Sequence, residues 1–219
     1  RCGYHLLDVL SDDHLDLASL LVGSEGTLAL ITEAVVATQP LPRHRGLSLL
    51  LFDSLEKAAR AVLEILSDGP TVCDLMDRRH LSLARDTDAR FDLLIPRDTE
   101  AALLIEQDGT EAFELRERLH RLIDRARRSD AAPFGTRVAL DLGEMDLFWS
   151  LASKIRPVLY RMKGANRPVP AVEDCAVPPQ VLPEFLVRMQ NVLKRRQVTA
   201  SLFAHAGQGQ LHLEPFLNL

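Results

Sequence analysis

Cysteine is scarce. The chain has three in 219 residues, Cys2, Cys73 and Cys175, an odd number with no C-x-x-C spacing. That excludes a disulfide framework and a cysteine-based zinc site, and it makes a reducing, intracellular setting the expectation. No apolar run approaches the roughly 18 residues that a membrane-spanning helix needs, and no signal-peptide pattern opens the chain. A basic excess is also lacking: 26 Lys and Arg stand against 31 Asp and Glu, for a net charge of -5 and a pI of about 5.8. Nucleic acid is therefore not an expected partner. There is no Gly-rich nucleotide loop, no internal repeat and no low-complexity tract. The first residues, "RCGYHLLDVL", contain no initiator Met and begin inside a patterned segment, so we expect a piece of something longer.

What is present is an ordinary globular composition, 47% hydrophobic and 26% charged. Residues 4–21 read as mostly helical. Gly23 and Gly26 mark a loop, and residues 27–38, rich in Val, Ile, Thr and Leu, read as a strand that the Pro40–Pro42 pair ends at a domain boundary. Strand "LSLLLF" (47–52) is followed by a helix over 54–69, with Ser54 as cap, Leu55, Ala58, Val62 and Ile65 on one face and Gly69 as stop. A strand over 101–109, a charged helix over 110–128, and a helix over 144–161 broken or kinked at Pro157 come next. Residues 169–178 are extended, 182–196 helical, and 199–207 with 210–219 form two closing strands. This order predicts an α+β fold, a sheet with helices packed on one face.

The closing strands carry the sharpest chemical signal, "HAGQGQLH". A hairpin with Gly207–Gln210 as its loop sets Ala206 opposite Leu211 and His205 opposite His212. Opposed residues project from one face with Cβ atoms about 5 Å apart, so both imidazoles can address one ion. Two histidines are an incomplete site, since a catalytic zinc usually takes three protein ligands; manganese and iron are alternatives. The same spacing also suits two hydrogen-bonded histidines with no metal.

Three stretches in order extend this reading: "GSEGTLALITEA" (23–34), "RPVPAVEDCAVPP" (167–179) and "HAGQGQLH" (205–212). Together they resemble the FAD-linked D-2-hydroxy-acid dehydrogenases, the D-lactate and glycolate oxidase group of the vanillyl-alcohol-oxidase superfamily. The resemblance implies that residues 1–42 are the end of an FAD-binding domain and 43–219 most of a substrate or cap domain, a ferredoxin-like antiparallel sheet with helices. It implies FAD, near Gly23, Ser24, Glu25, Gly26, Thr27 and Ile31. It implies a divalent metal on His205 and His212, with Glu173 and Asp174 near the site and a third ligand, a Glu, in a segment beyond Leu219. In such enzymes the metal polarises the α-hydroxyl, a histidine or carboxylate takes its proton, and hydride passes to flavin. A D-2-hydroxy acid is then the substrate, and a cytochrome, quinone or iron–sulfur domain the electron acceptor. A homodimer is left open, and the expected setting is cytoplasmic or peripheral to the inner face of a membrane.

One departure bears on activity. Within "FWSLASKIRPVL" (148–159) the family usually carries an Arg three residues after the aromatic, where it clamps the substrate carboxylate; here Ala152 stands there. Arg156, Lys154 or Arg167 are the candidate replacements. Two other readings therefore stay open: a non-catalytic relative whose cap domain is a binding or assembly module, and a small metal-binding α+β domain unrelated to flavin. By itself the 219-residue piece is expected to be inactive.

Overall fold

The computed structural model describes residues 4–7, 9–170 and 172–218; nothing is described of the side chain of Asp174. The chain divides into two compact units, Arg1–Leu41 and Pro42–Leu219.

The first unit holds one short helix, α1 (Leu17–Leu21), capped by Asp16, whose carboxylate accepts from the Ser19 backbone N–H at 3.0 Å. The longer helix expected over 4–21 is reduced to this turn. The strand expected over 27–38 does not form. An extended segment becomes a strand only when a neighbouring strand takes its N–H and C=O groups, and no described strand pairs with this one. Its apolar side chains stay in solvent, with Leu30 91% and Val35 99% exposed.

The second unit begins with β1 (His44–Phe52), α2 (Leu55–Leu66), β2 (Val72–Asp77), α3 (Arg78–Thr87), α4 (Arg90–Leu94), β3 (Ala101–Gly109), α5 (Ala112–Arg128) and β4 (Gly135–Ala139). These strands pair antiparallel in the order β4-β1-β3-β2. With α2 and α5 as the crossovers this is the ferredoxin-like arrangement. Then come α6 (Leu142–Ser153), α7 (Ile155–Arg161), β5 (Asn166–Pro168), β6 (Val172–Ala176), a 3₁₀ turn at Pro179–Val181, α8 (Leu182–Arg195), β7 (Ala200–His205) and β8 (Gln210–Asn218). Strand β7 adds to the β2 edge, β8 follows it, and β5 and β6 both pair with β8, again antiparallel.

Local chemistry explains the elements. Ser54 caps α2, accepting from the Lys57 N–H, while Leu55, Ala58, Val62 and Ile65 are buried along one stripe. Helix α5 carries Glu114 in its first turn and Arg125, Arg127 and Arg128 in its last, as the helix dipole favours. The helix expected over 144–161 is interrupted between Ser153 and Ile155. Pro157 cannot donate to the carbonyl four residues back, which is Ser153, and its ring crowds that carbonyl.

Helices cover both sheet faces, not one. Helices α2, α5 and α8 bury Leu50, Phe52, Leu75, Leu103 and Leu202 on the first face. Helices α3, α4, α6 and α7 bury Leu47, Leu49, Met76, Leu104 and Phe203 on the second. The physical reason is visible in β1, where every residue from Gly46 to Phe52 is buried: a strand apolar at both parities needs a layer on each side.

Candidate active site

The hairpin β7–β8 positions the site. Its register places His205 opposite Gln210 and His212 opposite Phe203, so the expected His205–His212 opposition is displaced by two residues. The loop is Ala206–Gly209. Side chains repeat every second residue, so a two-residue displacement preserves the face, and the histidines meet diagonally. Their ring centroids are 5.4 Å apart at an interplanar angle of 87°. Phe203 completes a triangle with them, 5.1 Å from His205 and 6.0 Å from His212. Gly209 closes the loop at φ +73°, and a Cβ there would stand 1.7 Å from the Val177 carbonyl oxygen. Only glycine permits that approach, which lets Val177 N–H donate to Gly209 C=O at 2.9 Å and fixes β6 beside the hairpin.

On the same sheet face β2 contributes Asp74, which the sequence reading missed. It is 3% exposed, and its Oδ1 accepts from His205 Nδ1 at 2.9 Å. Burial pushes its carboxyl above the usual carboxylate range, and the His205 hydrogen bond opposes that shift. Farther along β8 lies Glu214, also missed and 3% exposed. Burial raises its carboxyl too, against the pull of Arg156. From α7, Arg156 donates through Nη2 to Glu173 Oε1 at 2.6 Å and to the Tyr160 hydroxyl at 3.3 Å, and its Nε stands 3.6 Å from Glu214 Oε1. A third histidine, His80 of α3, packs on Phe203 at 5.7 Å and bonds the Leu151 carbonyl through Nε2 at 2.8 Å. Burial lowers its pKa to about 4, so it is a neutral packing residue.

The structure thus joins His205, His212, Glu173 and Arg156 on one face and adds Asp74 and Glu214. Asp174 lies in β6, its side chain outside the described part. Arg167 is not brought to the histidines: it is exposed on β5 opposite Leu217. That is an odd position of β8, so strand alternation sends Arg167 to the other face from His212 and Glu214. Ala152 packs into the second core. Glu214 was legible, since a residue two beyond His212 in a strand shares its face. Asp74 was not, because no strand was read over 72–77.

Gly23, Ser24, Glu25, Gly26 and Thr27 form a tight turn in the first unit. Gly23, Glu25 and Gly26 have φ of 78°, 51° and 73°, Ser24 is buried, and Thr27 returns its backbone N–H to the Ser24 carbonyl at 3.0 Å. Thr27 Oγ1 also donates to that carbonyl at 2.6 Å. A Cβ at Gly23 or Gly26 would meet nothing within 4 Å, so the turn leaves its backbone open to close approach. Ile31 is 62% exposed in the extended segment after it.

A cleft of about 330 Å³ opens beside the hairpin, lined among others by Thr71, Asp74, His205, Gln208 and Gln210. A larger one of about 660 Å³ lies between α2 and α5. There Arg60, Arg121, Arg125 and Arg128 face Glu64, Asp124 and Asp130, so its charge nearly balances and it contains no histidine. Among the described residues no group of three or more His, Cys, Asp or Glu side chains is arranged to hold a metal ion. The histidine pair fits half of such a site: Asp74 occupies Nδ1 of His205 and leaves Nε2 as its donor atom. No described helix is long and apolar enough to cross a membrane.

Comparisons with known proteins give the chain's relatives. D-2-hydroxyglutarate dehydrogenase of Pantoea ananatis is 29% identical over 99% of this chain and 22% of its own length. Glycolate oxidase subunit GlcD of Escherichia coli is 31% identical over 94% of this chain and 40% of its own. D-lactate dehydrogenase of Archaeoglobus fulgidus is 26% identical over 92% and 42%. The chain therefore spans well under half the length of these relatives. Among solved structures, alkyldihydroxyacetonephosphate synthase superposes with a TM-score of 0.60 over 94% of this chain and 42% of that one. At 19% identity that likeness concerns the fold alone. The family described as FAD linked oxidases, C-terminal domain, matches residues 41–219, and this chain belongs to it.

Proposed function

We propose that this chain is the substrate-domain part of an FAD-dependent oxidoreductase that oxidises a D-2-hydroxy acid of D-lactate, glycolate or D-2-hydroxyglutarate type. Residues 1–42 are, in this reading, the end of its FAD-binding domain. The observation that carries the proposal is the polar face of β7–β8: His205, His212 and Glu214 gathered beside Asp74 and Arg156, within the span that matches the family.

In this reading His205 and His212 hold a divalent metal, zinc, manganese or iron, and the open Gly23–Thr27 turn with Ile31 lies against FAD. When bound, the metal supplies Lewis acidity toward the α-hydroxyl oxygen and the flavin accepts the hydride. The chain's own residues bind, orient and take the proton. Arg156 is a cation of this face, and a substrate carboxylate has to compete with Glu173 and Glu214 for it. The hydroxyl proton passes to an imidazole or carboxylate of the same face. Neither the electron acceptor nor a homodimer is tied to any residue described above. With two ligands only, the 219-residue chain binds metal weakly and does not turn over.

The decisive experiment is anaerobic visible spectroscopy of the FAD-loaded protein that contains this chain, before and after D-lactate, glycolate and D-2-hydroxyglutarate. Bleaching of the oxidised-flavin band by one of these acids is expected. A flavin band that none of them bleaches would favour the second reading, a non-catalytic cap domain. That reading is motivated by Ala152 at the usual Arg position and by the double pairing of Arg156.

A further inference from the structure

We infer that Asp74 is the positioning residue of the hairpin, holding His205 in one tautomer and one ring orientation so that Nε2 faces the neighbouring cleft. The inference rests on the proposed function only in naming a divalent metal as what Nε2 meets.

Three observations carry it. First, Asp74 and His205 face each other across β2 and β7. The ladder pairs Leu75 with Ala204 and Met76 with Phe203, and the next step along it brings Asp74 opposite His205. Past that pair, Gly207 N–H donates to the Cys73 carbonyl at 3.0 Å. The backbone is therefore fixed on both sides of the pair, and the distance between the two side chains is set by the sheet.

Second, the contact is specific. Asp74 Oδ1 stands 2.9 Å from His205 Nδ1, and the carboxylate is 3% exposed. A buried carboxylate needs a donor, and a neutral imidazole has one N–H. In that neutral form, giving Nδ1–H to Asp74 leaves the lone pair on Nε2.

Third, the ring has a second contact that holds it. Phe203 meets His205 edge-on, centroids 5.1 Å apart at 89°. The His205 side chain is nonetheless 43% exposed, and both Asp74 and His205 line the 330 Å³ cleft. One nitrogen is tied to Asp74 while the ring as a whole keeps access to the cleft, an arrangement that suits a carboxylate fixing a metal-binding histidine.

The test uses the full chain with ¹⁵N-labelled histidine. In the unaltered protein the ring nitrogen shifts of His205 should report Nδ1–H with an unprotonated Nε2. In Asp74→Ala that tautomer should give way to Nε2–H, and affinity for Zn²⁺ by calorimetry should fall about 10- to 100-fold. Asp74→Asn keeps an acceptor oxygen without the charge, so it should retain the tautomer and bind Zn²⁺ with intermediate affinity; it also serves if the alanine variant fails to fold. An unaltered protein already in the Nε2–H form would overturn the inference. So would an Asp74→Ala protein that keeps His205 in the Nδ1–H form, or an Asp74→Asn protein that has lost it. If the unaltered chain binds no Zn²⁺, the metal reading fails alone, and the tautomer comparison still decides the role of Asp74.

Discussion

The two faces of the β7–β8 hairpin are made by alternate residues of the same strands, and they have opposite compositions. Leu202, Ala204, Leu211 and Leu213 point into the first core. Ser201, Phe203, His205, Gln210, His212 and Glu214 share the other side. A period of two lets one short sequence bury an apolar face and carry a polar one at once. The second face is also mixed along its length: apolar where β1 and β3 meet α6 and α7, polar where the hairpin extends the sheet beyond β2.

The largest effect should come from the apolar side. Leu202→Ala removes a side chain only 1% exposed and should lower stability by about 2–5 kcal/mol in denaturant unfolding. A loss below about 1 kcal/mol would mean that this face is not a packed core. Next is the residue that keeps both faces in register. Gly209→Ala places a Cβ against the Val177 carbonyl at positive φ and should destabilise by about 1–3 kcal/mol. It should also shift the amide resonances of His205 and His212, since β6 must give way.

Smaller effects belong to the polar side. Arg156 is about a third exposed, with Glu173 and Glu214 on it. A double-mutant cycle of Arg156→Met with Glu173→Gln should show a favourable coupling of about 1 kcal/mol or less, weakening in salt. A coupling of zero would release Arg156 to act as an unencumbered carboxylate clamp.

The smallest effect is a pH slope, to which half-buried Asp77 and buried His80 contribute at the β2–α3 corner. Burial pushes the Asp77 carboxyl from 3.8 up to about 7 and lowers His80 from 6.5 to about 4. Between roughly pH 4 and 6.5 the folded chain keeps a proton on Asp77 that the unfolded chain has lost, so this group's stabilisation falls as pH rises. His80 does the reverse: unfolded it is protonated and folded it is not, so its contribution rises with pH. The two slopes oppose. His80→Gln should expose the Asp77 slope, giving a variant that loses stability from pH 4.5 to 6.5 while the unaltered chain changes less. A variant more stable at 6.5 than at 4.5 would contradict this pairing.

Much of this was legible in the sequence. The strand over 101–109, the cap at Ser54 and the closing hairpin follow from alternation, capping and glycine placement, which are local. The antiparallel ferredoxin-like half was implied by the family resemblance rather than by these local patterns. Two-face coverage was missed although "GLSLLLF" carries it, because a run apolar at both parities was read only as a strand. Hairpin register depends on loop geometry, and Gly209 against Val177 is a tertiary contact that no spacing rule contains. Its consequence was mild because the displacement was an even number. Asp74 was missed because "VCDLMD" is short and has acids at both parities. Its partner is 131 positions away, a separation at which sequence pattern says nothing. The segment over 27–38 has strand composition, and composition alone does not supply a pairing partner.

The central claim is that the polar face of the hairpin, not the fold in general, carries the chemistry. It is tested most directly by the anaerobic rate of flavin reduction in the FAD-loaded protein, unaltered and with His212→Asn, using whichever hydroxy acid reduces it fastest. Both proteins should be matched for FAD content and melting temperature. We expect the variant to keep its flavin and its fold and to lose reduction by at least about 100-fold, roughly 2.7 kcal/mol of transition-state stabilisation. Equal rates in the two proteins would show that the histidine face is packing, and that the reaction takes place elsewhere.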